Sequence, residues 1–417
     1  MQHNVIQKLS VIVVALAAFA GCGGESTSTS TTGLAGGSSG TGNAGGSGGG
    51  SGSGGSGGAG GNGPVCMPEG PFDGPAIKPI DAPPDKWTWI QVDGAKCRDG
   101  STAGFGIRQQ TGSDKLVIYL EGGGACFNGT TCGINPGSFG SAAFGAWQGS
   151  AGNTGIFDTD NVENPVKDWN MIYVPYCSGD IHAGAASKVD IPGALSPKDQ
   201  EFVGYSNLYL YLKRIIPTFP GLSKVLLTGI SAGGFGAAYN YDRVAQAFCP
   251  TPVILVDDSG PPMADDYISP CLQTRWKGLW NLKDTLPADC PGCIGPDGGG
   301  IVNYVDYIGN KYPNARLGLI SSIHDSVITL FFGYGKNDCQ DIDGIATPVD
   351  GNVYAAGLDD LRKNHMNGSA QWASYYIDST QHTWLLAGLY STTVQGKKMS
   401  AWLGDVVNDG PMVNIGP

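Results

Sequence analysis

The residues with the clearest chemical potential in this chain form the pentapeptide Gly229-Ile230-Ser231-Ala232-Gly233. The pentapeptide follows the apolar run 224–228 and precedes residues 234–248, whose small side chains are typical of a packed helix. A serine hydroxyl is a weak nucleophile, so it needs a tight strand-to-helix turn that presents it to a base. Glycines on both sides remove the Cβ atoms that would clash in such a turn. We therefore expect Ser231 to act as a nucleophile.

A glycine run lies upstream, where the apolar residues 115–120 lead into Glu121-Gly122-Gly123-Gly124-Ala125-Cys126. Glycines after a buried strand allow backbone N–H groups to converge on one point. When a nucleophile attacks a carbonyl carbon, that point is the oxyanion, and each preorganised donor contributes roughly 3 kcal/mol to its stabilisation. The N–H of Ala232 would supply a complementary donor from the serine turn. The alternative interpretation is a flexible turn, since the chain contains 68 glycines.

Three separated motifs stand out, and in chain order they are Leu120-Glu121-Gly122-Gly123-Gly124-Ala125-Cys126-Phe127-Asn128-Gly129-Thr130-Thr131-Cys132, Pro175-Tyr176-Cys177-Ser178-Gly179-Asp180 and Gly229-Ile230-Ser231-Ala232-Gly233-Gly234. Together they resemble the pectin acetylesterase and Notum family of carboxylesterases. The resemblance covers residues 115–382 and implies an α/β-hydrolase-like fold that cleaves acyl esters by Ser-His-Asp catalysis without a cofactor.

The same resemblance assigns roles to individual positions. It makes Ser231 the nucleophile and the N–H groups of Gly123, Gly124 and Ala232 the oxyanion hole. The chain departs from the family at Gly124 and Ala125, because the family has an aromatic residue around this position. The resemblance therefore does not extend to the shape of the acyl pocket.

The other members of a triad can be sought by chain order, which in this architecture is Ser, then Asp or Glu, then His. Three of the five histidines follow Ser231 along the folded region. His382 comes after the strand-like residues 372–377 and a short loop, so we expect it to be the general base. His365 lies in a polar helical segment, which is typical of a solvated residue. His324 is the sequence neighbour of the best acid candidate.

Two aspartates compete for the role of the acid. Asp325 follows the strand-like residues 315–320, and its loop resembles the acid-bearing loop of the family. Asp258 ends the strand-like run 253–256 in a loop that also recurs in the family near the pocket. We favour Asp325 as the acid and Asp258 as a residue that lines or supports the pocket. For either aspartate, the structural alternative is a turn or a helix N-cap.

His182 follows another strand-like segment, residues 171–176. Because it precedes Ser231 in the chain, it is a poor candidate for the general base. Two roles stay open for its side chain, which are lining the substrate site and hydrogen bonding within its own loop.

The N-terminal region predicts export. Residues 1–22 combine a basic start, an apolar stretch and small residues before Cys22, which is typical of a secretory signal and resembles a bacterial lipoprotein signal with Cys22 as the lipidated residue. Ordinary signal cleavage, which gives a secreted protein, is the alternative. Residues 23–63 are almost only Gly, Ser, Thr, Ala and Asn and predict a disordered tether. Residues 64–417 are left for the catalytic domain.

The expected fold class is α/β, with an α/β-hydrolase-like, mostly parallel sheet flanked by helices in a single catalytic domain. The strand-like runs are residues 115–120, 171–176, 224–228, 253–256, 315–320 and 372–377. They alternate with helical patterns such as 202–216 and 233–248. Their continuous apolar character is typical of strands that are covered on both faces.

Setting Cys22 aside leaves ten of the 11 cysteines, an even number that predicts disulfide bonds in an exported chain. Cys126 and Cys132 are a candidate bridge that would brace the glycine run. We interpret Cys290 and Cys293 as a structural bridge, because a zinc site would need a second ligand pair.

Charge and motif content narrow the function further. A net charge of −12 disfavours nucleic acid and highly charged pectin as partners. The aspartates at 338, 341 and 343 predict a polar turn, because no glutamate stands where a calcium loop needs it, and no metal is expected.

We expect an exported carboxylesterase acting on O-acetyl esters, with an acetylated polysaccharide as a candidate substrate. Membrane contact would occur only through a lipid anchor, and no obligate protein partner is indicated. The alternatives are a lipid-ester or polyester hydrolase with the same triad, and a non-catalytic binding protein on the hydrolase scaffold.

Overall fold

The computed structural model describes residues 77–366 and 371–417. The predicted export signal, including Cys22, and the predicted tether 23–63 lie outside the described residues. Across the described ranges, no helix is both long and apolar enough to cross a membrane.

The described strands are, in chain order, β1 (Thr88–Lys96), β2 (Thr102–Arg108), β3 (Lys115–Leu120), β4 (Asn170–Val174), β5 (Ala186–Val189), β6 (Gln200–Phe202), β7 (Lys224–Ile230), β8 (Val253–Asp258), β9 (Arg316–Ser322), β10 (Trp372–Ile377), β11 (Thr393–Val394) and β12 (Lys397–Lys398). Eight of them form one sheet in the order β1-β2-β4-β3-β7-β8-β9-β10. β2 is antiparallel to both β1 and β4. The remaining pairs of this sheet, β4-β3, β3-β7, β7-β8, β8-β9 and β9-β10, are parallel.

The described helices are α1 (Gly129–Ile134), α2 (Ser141–Gln148), α3 (Gly204–Thr218), α4 (Ala232–Tyr239), α5 (Tyr241–Phe248), α6 (Pro270–Trp280), α7 (Asn303–Lys311), α8 (Ile328–Gly333), α9 (Lys336–Cys339), α10 (Gly351–Asp360) and α11 (Met399–Val407), with a π-helical turn at Leu361–Met366. Two buried apolar clusters draw on alternate residues of the central strands, so the sheet is covered on both faces. The predicted fold, a mainly parallel sheet flanked by helices, is confirmed.

The apolar runs predicted six strands, and each of them is a strand of the parallel part of the sheet. Every residue of β4 and of β8 is buried, which is why these segments read as continuous rather than alternating apolar runs. The predicted helix 233–248 is interrupted at Asn240, whose side-chain amide donates to the carbonyl oxygens of His182 and Gly236 at 2.9 and 2.8 Å. The interruption therefore has a tertiary cause.

Parallel strands bring their carboxyl ends to one edge of a sheet, and the predicted functional residues lie at that edge. Ser231 follows β7, Asp258 ends β8, and Asp325 lies three residues beyond β9. His382 follows β10, and the glycine run begins directly after β3 at Glu121. One edge of the sheet thus collects every candidate for the chemistry.

The described residues contain several disulfide bonds. The described bridges are Cys97–Cys177, Cys126–Cys132, Cys271–Cys339 and Cys290–Cys293. Cys249 is disulfide-bonded as well. The bridges predicted for Cys126 with Cys132 and for Cys290 with Cys293 are confirmed.

A C-terminal return segment, centred on Ile415, covers the outer edge of β10. The N–H of Tyr376 donates to Ile415 O at 2.9 Å, and the N–H of Ile415 donates to Ser374 O at 2.8 Å. The guanidinium of Arg362 donates to the same Ile415 carbonyl at 3.0 Å and packs over the Tyr376 ring. The backbone groups of this edge strand are therefore paired along its middle.

The disulfides predict different losses of stability. Cys97 and Cys177 are 80 positions apart, whereas Cys126 and Cys132 are 6 apart. Because the entropy of closing a loop grows with its length, the variant Cys97→Ser/Cys177→Ser should lose about 2 kcal/mol more unfolding free energy than Cys126→Ser/Cys132→Ser. Urea unfolding of both variants beside the unaltered chain measures the difference, and equal losses would contradict the expectation.

Candidate active site

Ser231 stands at a strained turn between β7 and α4. Its φ and ψ are 56° and −123°, a conformation that L-residues rarely adopt, and its N–H donates to Asp258 O at 2.7 Å. A Cβ atom at Gly229 or Gly233 would collide with the carbonyl oxygen of Leu120 at the end of β3. The glycines on both sides of Ser231 are therefore required by the packing of two neighbouring strand ends.

Side chains from other loops hydrogen-bond to carbonyl oxygens of the glycine run after β3. His182 Nε2 lies 2.9 Å from Glu121 O, and Asn135 Nδ2 donates to Gly123 O at 2.7 Å. The backbone of Gly124 has a φ of 80°, which favours glycine. Within residues 77–366 and 371–417, the N–H groups of Gly123 and Gly124 have no protein acceptor.

The N–H of Ala232 supplies a third donor beside these two glycines. Ala232 is the first residue of α4, so its N–H has no partner within the helix. Gly122 packs directly against the turn at Ser231, since a Cβ atom at Gly122 would lie 2.6 Å from Ile230 O and 2.9 Å from the Ser231 Cβ. The loop after β3 and the serine turn are therefore in contact, as an oxyanion hole requires.

His382 and Asp325 are hydrogen-bonded. Nδ1 of His382 lies 2.8 Å from Oδ2 of Asp325, and the two side chains are 7% and 0% exposed. An ionised carboxylate can only accept, so Nδ1 carries the proton, and in the neutral imidazole Nε2 is then the atom with the lone pair. Nε2 is buried without a hydrogen-bond partner among the described residues. His382 is thus prepared to accept a proton.

Asp325 is fixed by its own helix. Its Oδ1 accepts from the N–H groups of Val327 and Ile328, both at 2.9 Å, at the start of α8. Donors on one oxygen orient the other oxygen toward His382. No hydrogen bond joins Ser231 to His382 in the described structure, and in uncomplexed hydrolases this contact often tightens only when substrate binds.

Asp258 contacts the loop that carries the histidine rather than the histidine itself. Its Oδ2 accepts from the N–H groups of Trp384 and Leu385 at 2.7 and 2.8 Å, and its Oδ1 accepts from Ser259 Oγ at 2.9 Å. Burial raises the pKa of Asp258 to about 6, against the lowering effect of these donors and of His382. Because its carbonyl oxygen also accepts from the Ser231 N–H, Asp258 connects the turn at Ser231 to the loop that carries His382, the base loop.

The remaining histidines lie elsewhere. His324 pairs with Asp378 at 3.7 Å, and His365 with Asp306 at 2.6 Å. His182 is buried beneath the glycine run and is not among the residues that line the cavity at Ser231. Burial lowers the pKa of His182 to about 4, so its neutral imidazole must donate Nε2–H to the carbonyl of Glu121. Asp258 does not line the cavity either.

An apolar cavity opens beside Ser231. Its enclosed volume is about 40 Å³, within about 520 Å³ of space free of protein atoms that includes open solvent. Isoleucine and aromatic side chains dominate its wall, which is formed by Gly124, Ala125, Ile181, Ser231, Ala232, Phe235, Ile268, Trp276, Trp280, Ile301, Ile328, Phe331 and Phe332. The wall carries no charged side chain, so it suits an apolar group attached to the reacting carbonyl.

The sequence motifs did not predict the large apolar side chains of this wall. Gly124, Ala125, Ser231 and Ala232 belong to the motifs, but most of the large side chains come from the segment between β8 and β9 and from α8, which carry no motif. The spacing of Trp276 and Trp280, one helical turn apart on α6, was the available signal, because it places two large rings on one helix face. Their planes lie 4° from parallel with centroids 5.9 Å apart.

Comparison with known proteins agrees with this geometry. Residues 87–291 match the family model described as Pectinacetylesterase. The chain is 35% identical over 153 residues to palmitoleoyl-protein carboxylesterase notum2 of Xenopus laevis, and 33% identical over 154 residues to human palmitoleoyl-protein carboxylesterase NOTUM. In each case the match covers 36% of this chain and 30% of the relative, so less than a third of the relatives' length is matched.

A solved structure shares the fold over a longer range. The Wnt deacylase Notum from Drosophila matches with a TM-score of 0.54 and 20% identity, covering 78% of this chain and 94% of that one. At this identity the likeness speaks for the fold alone.

Two substitutions of Asp258 test whether Asp258 or Asp325 is the acid of the triad. Asp258→Ala leaves two buried N–H groups without an acceptor, at a cost of about 1–3 kcal/mol each, and should lower turnover roughly 10-fold to 100-fold because the base loop shifts. Asp258→Asn keeps a carbonyl oxygen for both groups and should retain most of the turnover. Steady-state kinetics with a soluble ester measures both variants. An equal loss of roughly 10⁴-fold in both would instead make Asp258 the acid.

The buried His182 side chain should contribute to the pH dependence of the unfolding free energy. The unfolded chain takes up a proton on this imidazole near pH 6.5, whereas the folded chain resists it until about pH 4. Stability from neutral His182 is therefore complete above about pH 6.5 and is lost as the pH falls toward 4.

His182→Gln should flatten this slope, since an amide can still donate to Glu121 O. Urea midpoints between pH 7 and 4 measure the difference between the chain and its variant. Glu121 and Asp258, whose pKa values are raised to about 7 and 6, act with the opposite sign in both proteins and cancel in that difference. Identical slopes would contradict the assignment.

Proposed function

Because the chain belongs to the pectinacetylesterase and Notum family, a family of ester-hydrolysing serine hydrolases, we propose that it is a carboxylesterase whose catalytic triad is Ser231, His382 and Asp325. The observation that carries the triad is the hydrogen bond between His382 Nδ1 and Asp325 Oδ2, beside a strained serine turn. Nε2 of His382 takes the proton of the Ser231 hydroxyl as its oxygen bonds to the ester carbonyl carbon.

The collapse of the resulting intermediate completes the first half of the reaction. The N–H groups of Gly123, Gly124 and Ala232 stabilise the oxyanion. The bond to the leaving oxygen then breaks, His382 returns its proton to the departing alcohol, and an acyl-serine remains. In the second half, water deprotonated by His382 attacks the acyl carbon, the bond to the Ser231 oxygen breaks, and His382 returns the proton to that oxygen as the carboxylic acid leaves. No step requires a metal or a cofactor.

The apolar cavity favours an acyl group larger than acetyl. An acetyl group would bury a single methyl against a wall of isoleucine and aromatic side chains, and each further buried methylene contributes about 0.8 kcal/mol. Ala125 lines the wall where the family has an aromatic residue nearby, which leaves room for the chain. The relatives named as palmitoleoyl-protein carboxylesterases act, by their names, on a long acyl group, which supports the same direction.

The substrate class is thus an ester with a medium or long acyl chain, the lipid-ester alternative of the sequence. Acetyl-ester hydrolysis of a polysaccharide is the second candidate, favoured by the acetylesterase description of the matching family. Export also stays a proposal, with Cys22 lipidated or the chain secreted. The disulfides support an oxidising compartment.

An acyl-chain series tests the proposal. We expect kcat/KM of the full chain to rise from p-nitrophenyl acetate toward longer esters, and Ser231→Ala and Asp325→Asn to lose roughly 10⁴-fold in kcat. Far-UV circular dichroism checks that the variants fold. A maximum at acetate would establish the acetylesterase instead. A folded chain that hydrolyses no member of the series would leave the non-catalytic binding protein as the better account.

A further inference from the structure

Two consecutive residues at the carboxyl edge have left-handed backbones without being glycine. The φ angles of Ile181 and His182 are 51° and 58°. A β-branched residue in this region is a true outlier, because its Cβ crowds the backbone. Such a conformation persists only where the surroundings impose it, and it is characteristic of functional sites.

The carboxylate of Asp180 imposes the turn. This side chain is fully buried and accepts four hydrogen bonds, from Ser178 Oγ at 2.5 Å and from the N–H groups of His182, Gly184 and Gly204 at 3.1, 3.1 and 2.7 Å. Three of these donors lie within four residues of Asp180. The loop is therefore wound around one buried charge.

Side chains on the next elements fix the outlier itself. The N–H of Ile181 donates to Tyr176 OH at 2.8 Å, and the His182 carbonyl accepts from Asn240 Nδ2 at 2.9 Å. Helix α4 comes so close that a Cβ at Gly236 would lie 2.7 Å from Ile181 O. Neither residue can relax without moving α4.

The two side chains of the outlier have different tasks. The His182 side chain hydrogen-bonds to the carbonyl of Glu121. The Tyr176 ring packs against Gly123, since a Cβ atom at Gly123 would lie 2.5 Å from the ring. This loop therefore braces the glycine run. The Ile181 side chain, 7% exposed, instead lines the apolar cavity. Glycine or asparagine would meet the backbone requirement with less strain. The chain nevertheless places a branched apolar side chain there.

We propose that Ile181 is a specificity-determining residue, whose side chain is held by the braced backbone as a fixed wall of the acyl cavity and limits the acyl group that the site accepts. This inference rests on the proposed esterase function. A wall residue on a movable backbone could withdraw from a longer chain. Ile181 cannot, because its N–H is bound by Tyr176, α4 packs against its carbonyl, and the carbonyl of its neighbour His182 is bound by Asn240.

A graded series at Ile181 tests the proposal. Ile181→Val, Ile181→Ala and Ile181→Gly remove progressively more of the wall. We expect the best p-nitrophenyl ester to become longer by about two to four carbons across the series, which is the size of the side chain removed. The ratio of kcat/KM for the longest to the shortest ester should rise about 10-fold in Ile181→Gly, mostly through KM.

The matched control is Ile156→Ala. Ile156 is a buried isoleucine as well, but it belongs to the cluster on the other face of the sheet. Its loss should lower the unfolding midpoint and leave the chain-length profile unchanged. Ile181→Gly should lower the midpoint less than Ile156→Ala, because relief of the left-handed strain offsets part of the lost burial.

The outcomes separate the inference from the function beneath it. A wild-type chain that hydrolyses esters, with an unchanged chain-length optimum in Ile181→Ala and Ile181→Val, would overturn the role of Ile181 and leave the esterase intact. A folded wild type without any ester hydrolysis would overturn both. A shift that Ile156→Ala reproduces would show a general effect of core damage and would also reject the proposal.

Discussion

Backbone N–H groups beyond the ends of the parallel strands need acceptors, and in this molecule buried carboxylates supply them. The hydrogen-bond ladder stops where a strand ends, but the loops that follow stay buried. Asp258 accepts two backbone N–H groups of the loop that carries His382, and Asp325 accepts two at the start of α8. Asp180 accepts two in its own turn and one from Gly204 at the start of α3. Three loops at this edge of the sheet are thus organised by acidic side chains.

This arrangement has an electrostatic cost that shapes the site. Burial raises the pKa values of Asp180 and Asp258, which shows that desolvation acts against their charge. The opposing contribution comes mainly from N–H and O–H donors rather than from cations. Dipoles disperse the negative charge locally, so these carboxylates oppose a developing oxyanion less than bare charges would. The apolar wall of the cavity is compatible with this, since none of its residues is charged.

The features of the molecule that could be predicted from the sequence are those that follow from local sequence patterns and from the order of residues along the chain. Continuous apolar runs identified the six parallel strands, and chain order brought Asp325 and His382 together as candidates. The antiparallel strands β1 and β2 were not predicted, because β1 buries only Val92 and Ala95 and β2 contains two glycines, so neither gives a long apolar run. The left-handed turn at Ile181 was beyond reach, because local preference opposes it and only contacts from α4 and Tyr176 impose it. The role of Asp258 likewise depends on a loop 126 positions away.

The return segment on β10 bears on how the molecule behaves at high concentration. An open strand at the edge of a sheet presents unpaired backbone groups that another chain can extend into an intermolecular sheet. Here Ile415 occupies that position along the middle of β10, and Arg362 holds it there with a cation next to the edge. The opposite edge, β1, is interrupted by an irregular register between Gln91 and Lys96. Both borders of the large sheet thus discourage self-association, which suits a protein with an open apolar cavity that would otherwise promote aggregation.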